Sequence, residues 1–427
     1  MPARARGFCA IDFGTSNSGI ALPQGEGVRL VELEPGYPTM PTAVFYDVEA
    51  LAAHEEPRRL FGRAAVQAYV QGHEGRLMRS MKSILGSSLA DQSTDLGAGR
   101  SVRYLDVVSG YLRHLKAMAE AQAGAPLERV VLGRPVYFVD DDPARDAQAQ
   151  RVLAQAAREV GFTELHFQFE PIAAALDYET TLASEQLVLV ADIGGGTSDF
   201  SLVRVGPTRR ERLERADDIL ANHGVHIAGT DFDRRIELAH LLPPCGYRSL
   251  GPTGREVPSK VYFDLATWHL INTVYNPSRV AELAGMKSFY ADVRQHRRLM
   301  TVVNERLGHA LIGQAEAAKI AVAEGGRAPV DLSAIEPGLQ AEVNEHSAAE
   351  ALEADLARIV GAADETLAQA GVDPARVDAL YLTGGSTGLR PLAERLAARF
   401  PGASLRRGDR FASVAQGLGV HARRVFA

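Results

Sequence analysis

Residues 8–22 open with the apolar run Phe8, Cys9, Ala10 and Ile11, pass through Asp12, Gly14, Thr15, Ser16, Asn17 and Ser18, and become apolar again at Ile20, Ala21 and Leu22. Two apolar runs around a short polar turn predict a β-hairpin, and the Gly, Ser and Thr residues at its tip make a turn of phosphate size. The arrangement returns in residues 187–203, where an apolar run reaches Asp192, the turn Gly194-Gly195-Gly196-Thr197-Ser198-Asp199 follows, and Phe200, Leu202 and Val203 restore the apolar character. The two central aspartates stand 180 residues apart. A repeat of this length predicts two half-molecules whose Asp-containing turns meet at one shared cleft.

Between the hairpins, residues 129–132 read as a buried strand, and Asp142 followed by Pro143 predicts a helix to about Val160, because Asp caps the first turn and Pro fits within it. Glu170-Pro171 opens residues 172–178 in the same manner. Residues 231–242 and 299–323 are predicted as helices, 379–382 as a strand, and Gly384-Gly385-Ser386 as the corner leading into a helix over 389–400. The Ala, Glu and Leu residues of 310–323 and 347–370 have ordinary amphipathic spacing, with too few heptads for a coiled coil. Residues 243–277, rich in Pro and Gly and carrying the single tryptophan, Trp268, read as an irregular insertion. Strands alternating with helices make the class α/β.

Composition narrows the field. A chain of 427 residues predicts about two to four packed units, and 46% hydrophobic residues suffice for a large core. The 46 Lys and Arg against 53 Asp and Glu leave a net charge of −7, opposite to that of a dedicated nucleic-acid binder. Cys9 and Cys245 alone make neither a disulfide framework nor a thiolate zinc site, which fits a reducing cytoplasm. The basic start, residues 1–6, is followed by only four apolar residues, so no signal peptide is expected, and no run of 18 apolar residues predicts a membrane span. The expectation is a cytoplasmic protein with neither nucleic acid nor membrane as partner.

No Gly-x4-Gly-Lys-Ser/Thr loop and no complete Gly-x-Gly-x-x-Gly occurs. Instead, each hairpin turn follows an apolar strand ending in Asp. Glycine lets main-chain N–H groups approach phosphate oxygens, and Thr15, Ser16 and Thr197 add hydroxyl donors. Asp12 and Asp192, at the strand ends, suit a Mg²⁺ ion held through its water shell. Either turn alone also reads as a tight hairpin; the pair, together with the Gly384-Gly385-Ser386-Thr387 corner, points to a nucleotide.

These elements resemble the actin-like ATPase superfamily, and within it the seventy-kilodalton heat-shock chaperones. Asp12-Phe-Gly-Thr-Ser-Asn-Ser resembles the family's Asp-Leu-Gly-Thr-Thr-Asn-Ser, and Asp192-Ile-Gly-Gly-Gly-Thr-Ser-Asp resembles Asp-Leu-Gly-Gly-Gly-Thr-Phe-Asp. Phe169-Glu-Pro-Ile-Ala-Ala-Ala, Gly229-Thr-Asp-Phe-Asp and Gly384-Gly-Ser-Thr resemble its connecting, second-lobe and adenosine motifs. Five ordered motifs span residues 8 to about 420. The resemblance implies a two-lobed actin-like fold of duplicated ribonuclease-H-like domains, closing on Mg²⁺ and ATP or ADP, with slow hydrolysis and a chaperone role.

By resemblance, Gly14, Thr15, Ser16, Asn17, Gly194, Gly195, Gly196 and Thr197 bind phosphates, and Asp12 and Asp192 hold hydrated Mg²⁺. Glu170 orients or deprotonates the attacking water, Lys82 steadies phosphoryl charge, and Asp199 lies by a K⁺-type monovalent-cation site. Read without the resemblance, Lys82 is a solvated surface lysine, and Glu170 has the alternative reading of a helix-capping acid. Gly229, Thr230, Glu316, Lys319, Gly384, Gly385 and Ser386 are implied on the nucleoside side, Glu316 and Lys319 at the ribose. Pro135, in Gly133-Arg-Pro-Val, matches a proline linked to interdomain signalling and reads equally as a structural turn. Ile320, Ala323 and Gly388 stand where the family has Arg, Ser and Arg, which bears on affinity and base preference.

The resemblance further implies lobe one over 1–186 with a reduced outer subdomain, lobe two over 187–380, and a segment 381–427 completing the adenosine site and the interlobe core. No peptide-binding domain is expected, as in the lidless YegD-like bacterial proteins, and a protein client or co-chaperone is the implied partner class. Two other classes stay open on sequence: a filament-forming or nucleotide-sensing scaffold, and a sugar-type kinase, against which the Glu-Pro-x-Ala-Ala-Ala motif argues.

Overall fold

The computed structural model describes residues 7–51, 55–87, 92–97, 99–139, 142–408 and 412–427, so the basic stretch 1–6 lies outside the described residues. Gly7–Phe13 pairs antiparallel with Asn17–Gln24, Asp12 facing Gly19, and the hairpin is continued by Gly27–Leu30. On the other side Gly7–Phe13 pairs parallel with Leu127–Arg134, which pairs parallel with Glu164–Phe169. The second sheet has the same plan: Gln186–Ile193 pairs antiparallel with Ser198–Val205 and then Ile219–Val225, and parallel with Ala379–Thr383 and then Ser404–Arg407. Identical strand order in both sheets is the duplication expected from the paired hairpins, and the fold is the two-lobed α/β architecture of actin-like ATPases.

Two helices fill the space between the sheets. Glu170–Thr180 and Ser413–Phe426 share one core with Ala10 and Val131 of the first sheet and Val188, Val190 and Val203 of the second. Small residues allow the close approach: a Cβ placed on Gly417 would come 1.9 Å from the Ala173 carbonyl oxygen. Gly417→Ala therefore forces the helices apart, and a loss of about 2 kcal/mol of stability is expected from such overpacking. A lower denaturant midpoint with an unchanged slope checks it.

The outer part of lobe one is the three-stranded sheet of Ala43–Asp47, Arg58–Phe61 and Gly75–Arg79, with the helix Gly62–Val70. Tyr104–Ala123, a 20-residue helix not read from the sequence, lays Leu105, Val108, Leu112 and Leu115 into the core beneath it.

The outer part of lobe two departs from expectation in two places. Residues 243–277 hold the short helices Lys260–Leu265 and Ile271–Val274, and Tyr262 is wholly buried with its hydroxyl donating to the Cys245 carbonyl at 2.7 Å. Helices of six and four residues are too short to show a 3.6-residue period, so the Pro and Gly signals dominated. The helix expected over 299–323 is two helices, Val293–Asn304 and Gly308–Ala321, parted where Arg306 takes φ +53° and the Leu307 N–H bonds back to Val302. Among the described residues, no helix is long and apolar enough to cross a membrane.

Candidate functional site

The duplicated sheets bring their two Gly-rich turns face to face. The first is so tight that a Cβ on Gly14 would sit 2.1 Å from the Asn17 carbonyl oxygen. The second is closed by the Gly194 N–H donating to the Thr197 carbonyl at 3.0 Å. Ser16 reaches across, because a Cβ on Gly195 would lie 2.9 Å from its Oγ. Open space surrounds the Gly196 α-carbon, so its backbone stays within reach of a ligand. Thr15 and Thr197 are half-buried in the turns, and Asn17 is exposed.

Beside the turns, Lys82 rises from the tight helical turn Met81–Ile84 and is buried, 8% exposed, so it is no solvated surface lysine. Its Nζ donates to Glu170 Oε1 at 2.5 Å. Glu170 begins its helix and packs against Gly133, where a Cβ would fall 3.3 Å from Oε1. Burial, then repulsion from Glu170 and Asp192, pushes the Asp12 carboxyl up to about 8, with Lys82 opposing. Asp192 is raised to about 7 by burial first and by Asp199 and Glu170 next. Among the described residues the ammonium of Lys82 alone faces Asp12, Glu170 and Asp192, and the surplus of carboxylate fits a hydrated divalent ion such as Mg²⁺.

Gly229, Thr230 and Ser386, expected on the nucleoside side, converge on the second turn. The Gly229 N–H donates to the Gly194 carbonyl at 3.2 Å, the Ser386 hydroxyl to the same oxygen at 2.7 Å, and both the N–H and hydroxyl of Thr230 to the Gly195 carbonyl at 2.8 Å. Gly384 has φ +84°, and a Cβ there would meet Asp192 Oδ1 at 2.8 Å, so this corner accepts only glycine. Gly385 stays exposed in the turn Gly385–Gly388.

Lys319 spends its charge inside the protein: Nζ lies 2.6 Å from Asp233 Oδ1 and 3.3 Å from the Gly229 carbonyl. Asp233 is raised to about 6 by burial, with Lys319 as the main opposing influence. Lys319→Ala strands that carboxylate, and a loss of roughly 3 kcal/mol, as for one partner removed from a buried pair, is expected in denaturant unfolding. Glu316 is exposed on the same helix.

Asp233, Gly133, Arg79 and Arg407 were not singled out as site residues from sequence. Asp233 could have been, since it closes the Gly229-Thr-Asp-Phe-Asp motif one helical turn from Gly229. Arg407 could not: only the fold brings its guanidinium to the Thr387 carbonyl at 3.2 Å, beside buried Gly388. Ile320 is 64% exposed one residue after Lys319.

Known proteins resemble this chain over part of its length. The family model described as Hsp70 protein matches residues 97–242. The chain is 31% identical over 266 residues to a Chaperone protein HscA homolog of Aromatoleum aromaticum, covering 57% of this chain and 39% of that protein. It is 30% identical over 307 residues to the Chaperone protein HscA homolog of Laribacter hongkongensis, covering 66% of this chain and 46% of that protein. The chain spans less than half the length of these curated relatives.

Proposed function

Because this chain carries an Hsp70-type nucleotide-binding domain, we propose that it is a chaperone-type ATPase that binds ATP with Mg²⁺ in the interlobe cleft and hydrolyses it slowly to ADP and phosphate. The observation that carries the reading is the part-buried Lys82–Glu170 pair lying beside Asp12 and Asp192, where the two Gly-rich turns meet.

In this reading the N–H groups and hydroxyls of Gly14, Thr15, Ser16, Asn17, Gly194, Gly195, Gly196 and Thr197 grip the phosphates from both lobes. Asp12 and Asp192 hold the Mg²⁺ through its water shell. When bound, that ion would offset the negative charge of the phosphates. Glu170 orients the attacking water and accepts its proton, and Lys82 both holds Glu170 in place through its hydrogen bond to Oε1 and faces the charge that grows on the γ-phosphoryl oxygens. Asp199 lies toward a monovalent cation such as K⁺. Gly229, Thr230, Gly384, Gly385 and Ser386, with Glu316 at the rim, make the nucleoside wall, and Lys319 acts mainly by fixing Gly229.

The proposed division runs 1–186 for lobe one, 187–380 for lobe two and 381–427 for the closing segment, whose helix Ser413–Phe426 packs between the sheets. The output is a nucleotide-dependent switch read by a protein client or co-chaperone. Single-turnover hydrolysis with Mg²⁺ and K⁺ tests the reading: phosphate release that stops without Mg²⁺ is expected. Bound ATP that never releases phosphate would favour the nucleotide-sensing scaffold instead.

A further inference from the structure

The outer parts of the two lobes touch through an aromatic cluster that lies apart from the phosphate turns. Tyr69, on the helix Gly62–Val70 of lobe one, stacks on Trp268 of lobe two, with ring centroids 4.9 Å and planes 27° apart. His309, second residue of Gly308–Ala321, stands edge-on to both rings at 5.3 Å. Arg79, the last residue of Gly75–Arg79, places its guanidinium 4.4 Å from the centre of the Trp268 ring. Asn272 lies beside both, its Oδ1 3.2 Å from His309 Nε2 and its side chain close to that of Tyr69. Glu316, from the same helix as His309, attracts Arg79 across the cleft.

The connection from this cluster to the chemistry is short. Ser80 follows Arg79 with φ +53°, a left-handed conformation that leaves little freedom, and the next two residues are Met81 and Lys82. A guanidinium held by the opposite lobe therefore constrains the turn that carries Lys82.

We propose that Tyr69, Arg79, Trp268 and His309 form a latch that holds the outer mouth of the cleft shut and, through Arg79, fixes Lys82 against Glu170. Opening the mouth and withdrawing Lys82 become one event, so a nucleotide leaves only from a cleft that has lost its hydrolytic arrangement. The proposal rests on the nucleotide-cleft reading above. Trp268 is the chain's single tryptophan, so its emission reports the latch directly.

The test compares the wild-type chain with Tyr69→Ala, Tyr69→Phe and Arg79→Gln. In Tyr69→Ala, acrylamide quenching of Trp268 should rise, and release of a fluorescent ADP analogue should accelerate about tenfold, the size expected for a lost aromatic contact in a partly buried cluster. Tyr69→Phe keeps the stack and should restore most of the wild-type rate. Arg79→Gln should slow single-turnover hydrolysis about tenfold while ATP still binds, as a displaced Lys82 requires. Unchanged quenching with unchanged release in Tyr69→Ala overturns the latch, and unchanged hydrolysis in Arg79→Gln overturns the link to Lys82. Failure of the wild-type chain to bind any nucleotide overturns the functional reading and the gating with it, and the quenching comparison, which needs no nucleotide, still decides whether the lobes are tied here.

Discussion

Lys82→Ala slows phosphate release from bound ATP by about 10²- to 10³-fold, the loss typical when one preorganised charge is removed from a water-poor site. Lys82 is 8% exposed and is the cation that holds both Asp12 and Asp192 down against burial and mutual repulsion. Its removal takes away the charge facing the phosphoryl group and also the hydrogen-bond partner that holds Glu170 Oε1, so the residue that orients the water loses its anchor as well. ATP binding survives, because the main-chain donors of both turns and the wall around Gly194 are untouched. Single-turnover kinetics beside a binding titration separate the two effects. Equal losses in binding and turnover would mean that Lys82 is structural.

Asp192→Asn has the second large effect, and its sign differs between the metal-free protein and the working enzyme. Asp192 keeps its proton in the folded chain up to about pH 7 and Asp12 up to about pH 8, whereas unfolded aspartates lose theirs near pH 4, at about 3.9. The metal-free fold therefore binds more protons than the unfolded chain across this window, and it loses stability as pH rises from about 4 toward 7 or 8, by roughly 1.4 kcal/mol per unit for each group. Asn removes the Asp192 contribution, so metal-free Asp192→Asn melts higher than wild type at pH 8 and close to it at pH 4. With Mg²⁺ and ATP the order reverses, since the variant loses an oxygen anion facing the ion, and hydrolysis falls by at least about 10²-fold. Metal binding displaces these protons, so wild-type affinity for the magnesium nucleotide rises between pH 6 and pH 8. Melting curves across pH, with and without Mg²⁺, check both halves. A variant less stable than wild type at pH 8 without metal would contradict the charge surplus assigned to this site.

The parts legible in the sequence are those where the local pattern and the tertiary role coincide. The two hairpins were readable because each apolar strand, its Asp and its Gly-rich turn are contiguous, and both sheets then repeat one strand order. Glu170 and Pro171 marked a helix start that the structure bears out. Arg407 was hidden because its partner, the Thr387 carbonyl, is brought to it only by the fold, whereas the motif ending at Asp233 was visible and only its pairing with Lys319 was not. Trp268 sat among Pro and Gly signals that spoke for irregular chain, and its stacking partner Tyr69 comes from the other lobe, a juxtaposition no local period contains. The break at Arg306 was equally hidden, since the apolar spacing runs on through it and only the left-handed backbone there divides the helix.

The central claim, a single magnesium-dependent nucleotide site between the lobes, is tested most directly by calorimetric titration of ADP into the metal-free chain near neutral pH, with and without Mg²⁺. The account predicts saturable binding of one nucleotide per chain that tightens with Mg²⁺, with proton release on metal addition. No saturable heat up to millimolar nucleotide, in either condition, would contradict it.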